Sequence, residues 1–255
     1  MKRHFVKTEN YTRLLAAVEA MKQRGSLSAC LCLVEGQPGV GKTRNVSAWG
    51  AGGGVVLVKG HVGMSLSGLR WKVSEQLGIK HRGNATAEVD AQIAALREHG
   101  TPIVFDEAQY GLAMKNGAVR QAGIEYLRDV AERAQTYVLL VVHESEVRGF
   151  SETAHIRTRI AYRCRMTEAS EADTARFVQE CCEVPVGEGV AAILHAQSQG
   201  RYRLLENAVA VVEALAKNRG LAKVEAADLK GLQLIVDHEA SLVPKVIRSS
   251  KGAAR

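Results

Sequence analysis

The sequence predicts an α/β fold: a parallel five-stranded sheet with helices on both faces, followed by a small all-helical domain. Short apolar runs alternate with helical stretches as far as Met166, no strand-like run follows that residue, and a glycine-rich turn comes directly after the first run. Residues 11–24 carry Leu14, Leu15, Val18 and Met21 at helical spacing and stop at Gly25, so a helix leads into the first strand. Strands are expected over 29–34, 55–58, 103–105 and 137–142, each a continuous apolar run of the kind that is buried on both faces of a parallel sheet, with a weaker fifth over 160–166. Helices are expected between them over 43–49, 66–77, 87–98 and 119–133. Four more, over 170–182, 190–198, 203–217 and 224–237, are punctuated by Pro185/Gly187, Gly200 and Gly220. The expected organisation is a helical lead-in over 1–28, the α/β domain over 29–168, the helical domain over 169–240 and a basic tail over 241–255.

Composition narrows the function classes. With 46% hydrophobic and 24% charged residues, the 255-residue chain has the make-up of a globular protein rather than a disordered one. Its longest aliphatic stretch, 138–142, is far shorter than a membrane span. The opening Met1-Lys2-Arg3-His4 has no apolar core behind its charges, and five cysteines in no framework spacing read as reduced thiols, so a cytoplasmic location is expected. The net charge of +7 permits a polyanionic partner. Basic residues cluster at the start, at the end, and at Arg157, Arg159, Arg163 and Arg165.

The chemistry is carried by Gly36-Gln37-Pro38-Gly39-Val40-Gly41-Lys42-Thr43, two glycines with four residues between them followed by Lys and Thr. With a strand before it and a helix after, this is a phosphate-binding loop. Its glycines let successive amides face phosphate oxygens, Lys42 brings a point charge to the outer phosphates, and the Thr43 hydroxyl suits Mg²⁺. Arg44, next in the chain, completes the expected nucleotide contacts. Such a loop needs a carboxylate on a neighbouring strand, and 103–107 supplies an apolar run ending in Asp106 and Glu107. Asp106 is expected to support the Mg²⁺ shell beside Thr43, and Glu107 to polarise the water that attacks the γ-phosphate, which favours hydrolysis over kinase chemistry. His143 ends the fourth strand, where a polar side chain can touch the γ-phosphate or that water. Arginine offsets the charge that develops on a transferred phosphoryl group, and Arg159, then Arg163, with Arg157 beside them, are the candidates to do so from a neighbouring subunit. Arg203 begins a helix in the second domain, where a cation is disfavoured by the helix dipole unless an anion lies nearby, so it is expected to reach the nucleotide.

Together these residues resemble the AAA+ ATPases over about 8–237, and within them the transposition regulators of the phage Mu B and TnsC type, through Asp106-Glu107-Ala108-Gln109 and the helix placed directly before the first strand. Related groups, the secretion ATPase ExeA and insertion-sequence helper proteins, share these features. The Mu protein also carries an N-terminal helix-turn-helix domain, whereas about 28 residues precede the first strand in this sequence, so DNA contact through such a domain is not among the expectations. The resemblance implies a protein that binds ATP and Mg²⁺, assembles as a filament or ring on double-stranded DNA with little sequence preference, and recruits a transposase. Candidate DNA contacts are Lys59, His61, Arg70, Lys72, Lys115 and Arg120. The alternatives are a helicase-loader-like or secretion ATPase, and a nucleotide-held scaffold that rarely turns over.

Overall fold

Along each expected strand, successive side chains point to opposite faces of one sheet, and helices bury both faces. The protein is described from a computed structural model, which covers residues 1–2, 4–80, 84–112, 117–148 and 154–235. Its five strands are β1 (Leu31–Gly36), β2 (Val56–Lys59), β3 (Ile103–Asp106), β4 (Val138–His143) and β5 (Ile160–Arg165), all parallel, in the order β2-β3-β4-β1-β5. The helices of this domain are α1 (Glu9–Lys22), α2 (Lys42–Gly50), α3 (Leu66–Gln76), α4 (Ala85–His99), α5 (Ala108–Leu112), α6 (Gly117–Ala134) and the short α7 (Ala154–Arg157). One face of the sheet, with Leu31, Leu33, Ile103, Phe105, Val138 and Leu140, packs under α3, α4 and α6. The opposite face, with Cys32, Val34, Val104, Leu139 and Val141, packs under α1 and α2 through Leu14, Val18, Met21 and Val46. β1 and β4 are buried almost throughout, whereas β5 is an edge strand with only Cys164 fully buried, which is why its apolar signal in the sequence is the weakest.

Helix ends follow local chemistry. Ser65 caps α3 by accepting from the Gly68 amide, Asn84 caps α4 through Thr86 and Ala87, and the left-handed Gly100 closes α4. The two short helices α5 and α7 were not foreseen.

The second domain is built from α8 (Glu171–Cys181), α9 (Val190–Ser198) and α10 (Tyr202–Arg219), packed round Phe177, Leu194, Leu205, Val209 and Val212. The fourth helix expected over 224–237 does not form. Within 224–235 there is a single 3-10 turn, Ala226–Leu229, closed by reciprocal bonds between Glu225 and Asp228, and Gly231 then takes a left-handed φ of 75° that ends any helical path. Val224 instead makes a parallel bridge with Val186. Residues 236 and 237, and the basic tail over 241–255, lie outside the described residues.

Before α1 the chain runs along the helical domain: Val6 is buried in that domain's core, and the Lys2 amide donates to Cys181 O. All five cysteines are buried free thiols, and among the described residues no helix is long and apolar enough to cross a membrane.

Candidate nucleotide-binding site

The loop between β1 and α2 sits at the carboxyl end of the central strand, where open parallel sheets bind ligands. Gly36 is required by crowding: a Cβ there would lie 2.5 Å from the Met166 carbonyl oxygen. Gly41 is required by conformation, with φ of 88°. The loop closes on the cation beside it, since Lys42 Nζ donates to Gly36 O at 2.7 Å and Gln37 O at 3.0 Å. Burial lowers the Lys42 pKa while Glu107 and Asp106 oppose that shift.

A cleft of about 430 Å³ opens over this loop. It is lined by Pro38, Gly39 and Gly41 from the loop, by Lys42 to Arg44 at the start of α2, by Asp106 at the end of β3 and Glu107 just after it, by His143 at the end of β4, and by Tyr202, Arg203 and Glu206 from the helical domain. Most of the residues singled out in the sequence therefore meet in one place. Asp106 is 3% exposed, accepts a hydrogen bond from the Thr43 hydroxyl, and leaves its Oδ1 buried without a partner. Burial raises its pKa above the ordinary carboxylate value, opposed by the Thr43 bond. An orphaned buried carboxylate oxygen beside a hydroxyl is a donor set that fits Mg²⁺, a hard cation that takes oxygen ligands. Glu107 holds a left-handed φ of 51°, which is strained for a residue with a side chain, and its carboxylate accepts from Gln109 Nε2. His143 Nδ1 lies 2.7 Å from the Ser145 hydroxyl.

Arg203 stands over the loop, its Cβ being 3.6 Å from where a Cβ on Gly39 would be. Arg44 pairs with Glu206, lies over the Phe177 ring and donates to His4 O, so it joins α2 to the helical domain and the leading segment. A narrow, mostly apolar crevice continues from Gly41, between Phe5, Val6 and Thr8 on one side and Phe177 and Tyr202 on the other. Sequence reasoning missed this crevice and its Tyr202, as well as Gln109 and Glu206 in the cleft; only Gln109 stood in a motif.

Three arginine candidates stand apart from the cleft. Arg159 precedes β5, where its carbonyl accepts from the amide of Leu31, the first residue of β1, and its guanidinium lies 3.9 Å from Glu132. The six residues of β1 separate that end of the sheet from the loop, about 20 Å at the usual strand rise, so Arg159 does not reach the cleft of its own subunit. Arg163 is bound by both oxygens of Glu35, at 2.8 and 3.1 Å, and Arg157 is exposed at the end of α7.

Comparison with known proteins agrees with this geometry. Residues 27–149 match the family model described as AAA domain. None of the curated proteins matches the chain in sequence. Among solved structures, Cdc6p from Pyrobaculum aerophilum superposes with a TM-score of 0.64 at 14% identity, over 89% of this chain and 68% of that one. The ORC2 protein of Aeropyrum pernix, in ADPNP–ADP complexes, gives 0.59 at 14% identity, over 90% and 69%. The RuvB Holliday junction branch migration motor of Thermotoga maritima gives 0.57 at 16% identity, over 88% and 68%. The five-stranded parallel sheet, the phosphate-binding loop at its centre and the helices on both faces give this chain the fold of an AAA+ ATPase, with residues 27–149 matching an AAA domain.

Proposed function

We propose that the protein is an ATPase of the AAA+ type that binds ATP with Mg²⁺, assembles head to tail on double-stranded DNA with little sequence preference, and directs a transposase to that DNA. The observation that carries the ATPase part is the convergence of Lys42, Thr43, Asp106, Glu107, His143 and Arg203 on one cleft. Lys42 and the loop amides hold the phosphates, with Gln37, Pro38 and Val40 shaping the loop, and Arg44 and Arg203 close over the nucleotide. Thr43 and Asp106 hold Mg²⁺, which supplies a positive charge against the phosphate oxygens. Glu107 accepts the proton of the attacking water and His143 contacts that water or the γ-phosphate. Arg159, directed away from its own cleft, serves the cleft of the next subunit.

DNA as the partner is supported by the net charge of +7 and by the likeness to a Holliday junction branch migration motor. Beyond β2, Lys59 and His61 are exposed, beside Val62, which is 81% exposed. Arg70 and Lys72 lie half-buried on α3, and Lys72 is paired with Glu75 at 2.8 Å and rests over the exposed Trp71 ring. Lys115 and the side chain of Arg120 lie outside the described residues. Contacts of this type with phosphates should weaken steeply with salt. The transposase as the final partner is supported by Asp106-Glu107-Ala108-Gln109 and by the helix placed directly before β1.

The test is ATP hydrolysis with and without duplex DNA, with the same samples imaged by electron microscopy in a slowly hydrolysed ATP analogue. DNA-stimulated turnover and nucleotide-dependent filaments or rings are expected. Lys42→Ala should abolish both. Glu107→Gln should keep ATP binding, lower kcat by about 10² or more and prolong the assembled state. Turnover indifferent to DNA, with no assembly, would leave an ATPase without this partner.

A further inference from the structure

Asn10 lies in the first turn of α1 and is only 2% exposed. It is not the helix cap, a position held by Thr8, and asparagine has no strong preference for a helix interior. Its amide is instead used in full across the molecule. Nδ2 donates to Val40 O at 3.1 Å and to Thr167 O at 2.6 Å, while Oδ1 accepts from the Thr167 amide at 3.1 Å and from the Arg13 guanidinium at 3.1 Å. Val40 belongs to the phosphate-binding loop. Thr167 lies between the end of β5 and Ser170, the cap of α8, and so sits in the link that joins the two domains. One buried side chain therefore ties the loop, the interdomain link and the leading helix together.

The bond to Val40 has a consequence for the neighbouring amide. In a trans peptide the C=O and N–H point in opposite directions, so holding the Val40 carbonyl toward Asn10 turns the Gly41 N–H away from it. Gly41 lines the cleft and holds the left-handed conformation that such a turn of backbone needs. A buried carbonyl is rarely left unpaired, and without Asn10 that peptide would lose what fixes its plane. We propose that Asn10 is a positioning residue for the nucleotide site. It presets the Val40–Gly41 peptide for a polyphosphate and, through Thr167, carries occupancy of the loop to the link with the helical domain. This rests on the reading of the cleft as a nucleotide site.

The test uses the full chain with ADP and Mg²⁺, measuring affinity by calorimetry and amide hydrogen exchange across 166–169. Asn10→Ala is expected to raise the ADP Kd about tenfold or more. Bound ADP should slow exchange in that link in the unmodified protein but not in the variant. Leu14→Ala, which empties part of the core under the same helix but leaves the four Asn10 hydrogen bonds in place, should lower stability yet keep ADP affinity within about twofold. If Asn10→Ala does not fold, Asn10→Ser, too short to span both carbonyls, should show the same loss. An Asn10 variant that binds ADP as tightly as the unmodified protein would overturn the proposal, as would an equal loss in Leu14→Ala. Lys42→Ala separates the two readings. If it loses ADP while Asn10→Ala keeps it, the nucleotide site stands and the role of Asn10 falls; if the unmodified protein binds no ADP, both fall.

Discussion

Asp106 carries a charge in surroundings that penalise it. Burial raises its pKa, so the folded protein holds this proton more tightly than the unfolded chain does. Its contribution to stability is fully present below the ordinary carboxylate pKa and is lost as pH rises through the raised folded value. Asp106→Asn, of equal size and without the charge, should therefore raise Tm at neutral pH without Mg²⁺ by roughly 2–4 °C. The gain should vanish as pH falls into the ordinary carboxylate range, and the variant should lose Mg²⁺-dependent hydrolysis. Scanning calorimetry over pH checks the first part, and a Tm unchanged at neutral pH would show that the charge is already satisfied. The carboxylate was legible in the sequence because it closes an apolar strand; its orphaned oxygen was not, since that depends on what packs around it. Legibility among the other site residues follows the same division. Gly36 to Thr43 form one contiguous motif, whereas Arg44 meets Glu206 across 162 positions and Asn10 meets Thr167 across 157, pairings that no local spacing encodes.

Among elements, the strands were legible in proportion to their burial. β1 and β4 are continuous apolar runs in the interior, whereas β5 lies at the edge of the sheet and is mostly exposed. The strand order was not legible, because nothing in an apolar run names its neighbour. The last expected helix failed for a local reason: the apolar spacing of Val224, Leu229, Leu232 and Ile235 is helical, but Glu225, Asp228 and Gly231 impose a turn, and these side chains reach the core from an irregular segment. The turn from β1 into the loop yields a prediction at this scale. Gly36→Ala would press a methyl group against the Met166 carbonyl and, 3.0 Å away, a Val40 methyl. Backbone cannot yield as a flexible side chain does, so unfolding free energy should fall by about 1–3 kcal/mol. Nucleotide affinity should fall with it, because the loop would shift. Denaturant unfolding with a parallel ATP titration measures both, and an unchanged midpoint would mean that β5 moves aside freely.

The whole molecule has a polarity: the nucleotide cleft lies at the carboxyl ends of the strands, and Arg159 lies at the opposite end of the sheet. A residue that must act on phosphate from there can do so only across a heterologous contact, one subunit's arginine end against the next subunit's cleft. Arg159→Ala should then retain ATP binding and lose assembly-stimulated hydrolysis. Glu107→Gln should lose hydrolysis in its own cleft while still offering Arg159 to a neighbour. Each variant alone should be inactive, yet mixing them creates contacts in which an intact cleft faces an intact Arg159. With random exchange of equal amounts, half of the clefts are intact and half of the arginines facing them are intact, so activity should recover to about a quarter of that of the unmodified protein. Arg163→Ala in the same mixing scheme distinguishes the candidates, because its guanidinium is already held by Glu35 and its loss should leave assembly-stimulated hydrolysis in place. Recovery with Arg159→Ala establishes that two subunits build each working site. No recovery, with both variants still assembling, would place the charge-compensating arginine elsewhere and leave the Arg159–Glu132 contact as support for the base of the sheet.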